Sequence, residues 1–202
     1  MKNIGLAVLL FVLLGSAEGA ESVQTGDLER IFLVCRHVGG PTVADDLRSL
    51  AAQRGASDAE MAARLMELAK STVTEETDAR QRHLAEAAVA GLGLFGGEAE
   101  RDFALELMRT TRDKNLRQAA LRACIRMVPD KWEEVVREVA EDDRFDSYAK
   151  FGAFEEAFRL GKSGDGAMRQ RMKEVFSEFA AKNPHVVSRE RLDAWIWELE
   201  KP

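Results

Sequence analysis

The chain is poor in the residues that announce most kinds of chemistry: 202 residues contain 4 prolines, 2 cysteines, 3 histidines and a single tyrosine. The histidines, His37, His83 and His185, fall in three separate predicted segments. None has an i, i+4 histidine or a cysteine cluster beside it, so no metal ligand set is assigned and each reads as a surface or helix-end residue. Two cysteines are too few for a disulfide-dense scaffold. Period-two runs rich in Val, Ile, Thr and Tyr are missing, which argues against a sheet. An excess of basic charge is missing too: 29 bases against 35 acids give −6, so nucleic acid is not an expected partner. What remains, 46% hydrophobic and 32% charged residues, fits a soluble domain with a sizeable core.

Only one long apolar run exists, Ile4 to Leu14, preceded by Met1-Lys2-Asn3 and closed by small residues. It is well short of the roughly 20 residues a spanning helix needs. It reads as a secretory signal peptide covering 1–19, cut after Ala17 or Gly19, with residues 20–202 as the mature domain and no membrane span left after processing. A secreted or periplasmic location follows as an expectation. Cutting after Gly19 removes Lys2 and Glu18 together, so the charge stays at −6.

Start and stop signals divide the rest into helices. Thr42 stands three before Asp45, Ser57 three before Glu60 and Asp130 three before Glu133, each pair able to form a capping box or favour a helix N-terminus. Stops are expected at Gly39-Gly40-Pro41, Gly55, Gly96-Gly97, Pro129, Gly161 and Asn183-Pro184. Apolar residues recur with helical period between them. Ten helices are expected, at about 27–38, 42–54, 58–70, 75–94, 98–110, 114–128, 131–142, 146–160, 166–182 and 188–200.

Arg48, Arg82, Arg117 and Lys150, each followed at +3 by an alanine, are spaced 34, 35 and 33 residues apart. A constant period of this size with two helices per unit predicts an all-α, right-handed α-solenoid of about four antiparallel helix pairs with a capping helix at each end. The 114–128 helix carries a broad stripe through Leu116, Ala120, Cys124 and Met127. That leaves Gln118, Arg122 and Arg126 expected to face water. The final helix has a narrower stripe of Leu192, Trp195, Ile196 and Leu199, as a cap requires.

The segments RQRHLAEAAVAGLGLFGG, LRQAALRACIRMVPD and KFGAFEEAFRLGKSG resemble first helices of HEAT-type repeats, with a basic residue, spaced alanines and a Gly or Pro-Asp exit. The resemblance covers 42–182 and is degenerate in its first unit (Leu47 to Gly55) and in its last, where Gly152 and Glu156 replace small apolar residues. It implies a curved scaffold that binds macromolecules through its second helices, and it implies no chemistry.

Two motifs are set aside on structural grounds. Gly91, Gly93 and Gly96 satisfy a dinucleotide fingerprint, but they end a helix where the mechanism needs a strand before it and a helix start after it. Gly161-Lys162-Ser163 resembles the end of a phosphate loop, yet Glu156 stands where its first glycine belongs; a helix end with a Ser163 cap is expected. Cys35 and Cys124 lie on apolar stripes of helices expected to be too far apart for a disulfide, so both are expected to be buried free thiols.

Charge is segregated by helix. The 58–70, 98–109 and 131–143 helices carry −1, −2 and −4, whereas the stretch from Arg109 to Arg126 carries +5. The expected partner is therefore a protein or peptide, basic in character, held near Glu134, Glu138, Glu141 and Asp142, with Trp197 as an exposed aromatic anchor. The function expected is a non-enzymatic scaffold or adaptor, with no catalytic residue, cofactor or metal assigned. Its alternatives are an enzyme with a site between repeats, or a protein held at a membrane surface.

Overall fold

The computed structural model describes residues 22–34, 41–73, 78–182 and 187–201. The expected signal peptide, Cys35, His37 and His185 lie outside the described residues, as does the side chain of Thr42. Within them the chain forms ten α-helices and no strand: α1 (Thr25–Val34), α2 (Pro41–Arg54), α3 (Asp58–Thr72), α4 (Ala79–Phe95), α5 (Glu98–Thr110), α6 (Lys114–Met127), α7 (Trp132–Glu141), α8 (Ser147–Ser163), α9 (Gly166–Lys182) and α10 (Arg189–Glu200).

The helix starts are set by side-chain oxygens. Ser57 and Glu60 form the expected reciprocal box, Asp78 and Gln81 form another, and Asp113, Asp146 and Ser188 each accept backbone N–H groups of the first turn. Asp130 does not cap. Pro129–Lys131 tightens into a 3₁₀ turn leading straight into α7, and Glu133 points to arginines instead. Gly161 does not end α8, which runs on to Ser163; the Ser163 hydroxyl donates back to the Leu160 carbonyl, 3.0 Å away. Gly161 serves close packing, since a Cβ there would lie 2.5 Å from Met172 Sδ. Gly55, at φ 62°, is the one described residue in the left-handed region, as expected for a stop.

The helices pack in a regular order. α2, α4, α6, α8 and α10 touch in succession, and α3, α5, α7 and α9 each lie against the helix that follows them. The tightest hairpins therefore join α3 to α4, α5 to α6, α7 to α8 and α9 to α10, with α1 and α2 ahead of them. This is one helix out of the frame expected from the repeat spacing, and α10 is a paired helix as well as the last one. Alanines make the succession close: Ala85, Ala88, Ala120, Ala123 and Ala153 are all buried, and a Cβ on Gly93 would stand 3.1 Å from Ala123 Cα. At the C-terminal end the contacts become aromatic, with Phe154 against Phe176 and Phe179, and Trp195 stacked on Phe158 at 5.3 Å. A continuous core runs from Val23 to Leu199.

Candidate functional site

Most of the charge on the α5–α7–α9 layer is paired between helices. Arg101 on α5 donates to Glu134 on α7 at 3.0 Å, and Arg109 reaches Glu138 through two hydrogen bonds of 2.6 Å. One helix further, Arg171 of α9 grips Glu133 with two bonds of 2.8 Å, while Arg137 of α7 donates to Glu133 and to Glu178. These contacts hold the Glu133 carboxyl below its usual range, chiefly through Arg171. They hold Glu178 down at about 2, chiefly through Arg137 and then Lys182. Three of the six acids in 131–143, Glu133, Glu134 and Glu138, are thus the acceptor half of a ladder whose donors sit on neighbouring helices.

The expected partner-binding residues are placed as follows. Glu134 and Glu138 are rungs of that ladder. Asp142 lies at the C-terminal edge of α7 and is held by Arg144, whose Nε is 2.8 Å from its Oδ2. Glu141 is exposed, and no ion pair reaches it among the described residues. Trp197 is 58% exposed on α10, with Lys201 Nζ 3.5 Å above its ring.

A second charge cluster lies between α6 and α8 and differs from the sequence reading. Gln118, Arg122 and Arg126 do not face water: Gln118 is 4% exposed, and the two arginines are half-buried against α8. Arg126 donates to both oxygens of the buried Glu156, at 2.6 and 3.1 Å, and Arg122 donates to Glu155 at 3.1 Å. Gln118 fills the space over Gly152, and neither of its amide atoms meets a protein hydrogen-bond partner. Gly152 and Glu156, the two departures from the repeat pattern, are therefore the complements of Gln118 and Arg126.

The repeating basic residues share a job in the later helices. Arg117 donates to the Thr111 carbonyl at the end of α5, and Lys150 to the Ala140 carbonyl in the last turn of α7, 3.0 Å away. Both neutralise a helix C-terminus. Arg82, one repeat earlier, makes no such bond. It opens instead on a cavity of about 850 Å³ between the ends of α3 and α5 and the starts of α4 and α6.

Cys124 is buried and free, its Sγ 3.9 Å from the Arg101 carbonyl, and burial pushes its thiol up to about 12. Such a thiol is no nucleophile. His83 is half-buried with Nε2 2.9 Å from the Phe32 carbonyl, tying α4 to α1. The Gly91–Gly96 run closes α4 and packs on Leu65 and Ala123, and Gly161-Lys162-Ser163 is helical and cannot wrap a phosphate. Among the described residues no group of three or more His, Cys, Asp or Glu could hold a metal ion, and no helix is long and apolar enough to cross a membrane. Comparison with protein-family models, curated proteins and solved structures finds no match to this chain.

Proposed function

We propose that the chain is an exported HEAT-like α-solenoid that serves as a non-enzymatic scaffold for a protein or peptide partner. The observation that supports this most is the regular helix succession together with its inter-helix arginine–glutamate rungs, Arg101–Glu134 and Arg122–Glu155, each spanning 33 residues. A structure that spends its charges holding one helix pair to the next is built to present a rigid surface. Of the residues expected to bind a partner, Trp197 and Glu141 are the most available. Glu134, Glu138 and Asp142 would have to exchange an intramolecular arginine for a partner's cation, which gains little.

The test is crosslinking of the mature protein, residues 20–202, to the exported fraction of its own cell, with Trp197→Ala and Glu141→Gln in parallel. One specific adduct, weakened at least severalfold by Trp197→Ala and further by raised salt, is the expected result. An adduct pattern identical in both variants, or none above background, would refute the reading.

A further inference from the structure

We propose that the cavity between the α3–α4 and α5–α6 hairpins is a binding site for a small oxyanion-headed ligand, a carboxylate or phosphate carried on a short apolar body. Its lining includes the apolar Val73, Ala85, Leu107 and Leu116, and about 850 Å³ lies within the range of small-molecule pockets. Its lining also carries Arg82 and Arg112. These two exposed guanidinium groups have no ion-pair partner among the described residues.

A third arginine reinforces them. Arg117 holds the Thr111 carbonyl that forms part of the same wall, and its Nε is buried without a hydrogen-bond partner. The one carboxylate in the lining among the described residues, Asp113, is committed to the backbone N–H groups of Asn115 and Leu116 at 2.9 and 3.0 Å. Glu86, one turn along α4 from Arg82, lies outside the lining; burial and then Asp113 raise its carboxyl above the usual range, and Arg82 opposes that shift. Where the later repeats place a basic side chain on a helix end, this one leaves it free to fork onto an oxyanion. The inference is independent of the scaffold reading, since it concerns a small ligand and none of the residues named for the partner.

The probes are phenylphosphate, which has both an oxyanion and an apolar body, and inorganic phosphate, which has only the first. Both are titrated into the mature protein and followed by calorimetry and by amide shifts at Thr111 and Leu116. Phenylphosphate is expected to bind at least tenfold more tightly than phosphate. Arg82→Gln or Arg112→Gln should each weaken it about tenfold, the worth of one charge-assisted hydrogen bond, with unchanged circular dichroism. Arg169→Gln, on α9 and outside the cavity, should leave it unchanged. Equal affinity for the two probes, insensitivity to both cavity variants, or no binding of phenylphosphate at about 10 mM would each overturn the proposal.

Discussion

Gly152 and Gln118 make a sharp test of how α6 and α8 hold one another. A Cβ on residue 152 would fall on the Gln118 amide, 2.7 Å from its Oε1, at a place where the glutamine is 4% exposed and has little room to swing away. Overpacking of this kind costs typically 1–3 kcal/mol, and direct overlap with the Gln118 amide nitrogen puts it in the upper half of that range, about 2–3 kcal/mol; alanine's better helix propensity returns about 1 kcal/mol, so Gly152→Ala should destabilise by roughly 1–2 kcal/mol. Gln118→Ala removes an amide that makes no hydrogen bond to protein and leaves a small void, a net loss of about 1 kcal/mol or less. In the double variant the new methyl occupies the space the amide vacates. Its stability should return to within about 0.5 kcal/mol of the parent, a coupling on the order of 1–2 kcal/mol. Thermal unfolding followed by circular dichroism reads this directly, since 1 kcal/mol moves the midpoint of a domain this size by about 2–4 °C. Additive losses in the double variant, or a Gly152→Ala protein as stable as its parent, would show that the glycine is not there to admit the glutamine.

Glu156→Ala should cost about 2–4 kcal/mol, because it leaves Arg126 and its neighbours without their buried acceptor, whereas Glu138→Ala in the exposed ladder should cost 0–1 kcal/mol; chemical denaturation separates the two. Glu133 and Glu178 have carboxyls lowered by their arginines, so their contribution is present above the unfolded value of 4.5 and is lost as pH falls through the folded one, about 2 for Glu178. Stability measured from pH 7 downward should therefore hold to about pH 5 and then decline towards pH 2, less steeply at high salt. In a Cys35→Ser background, Cys124 should resist a thiol reagent at pH 8 until denaturant is added; rapid native labelling would contradict its burial.

Much of the fold was legible because helix ends carry their own chemistry. Ser57 with Glu60, and Gly96-Gly97, mark boundaries that the structure keeps within a residue or two, and periodicity alone identified Trp195 as inward and Trp197 as outward. Helix pairing was less legible. A two-residue turn and a three-residue loop look alike in sequence, and which side of a helix receives its closest neighbour depends on side-chain volumes across the interface. The misreading of Gln118, Arg122 and Arg126 has a similar cause, since a helical wheel ranks residues by polarity and cannot see a polar partner on another helix. A signal was nonetheless present about one repeat further on, where a glycine and a glutamate stand in place of small apolar residues. The cavity left no such trace, because an absent contact between Arg82 and a helix end has no sequence signature.

The continuous arginine–glutamate ladder begins at α5; ahead of it Arg80 of α4 reaches Glu29 of α1 at 3.3 Å. Among the described residues no ion pair joins α3 to α5, where Lys70 lies over the Phe103 ring instead, 5.7 Å from its centre. Ionic strength therefore acts as a handle on one part of the molecule. Added salt should speed amide exchange in α7 and α9 while leaving α3, held by apolar burial, almost unmoved. Salt sensitivity should therefore be uneven along the stack, low in α3 and high in α7 and α9.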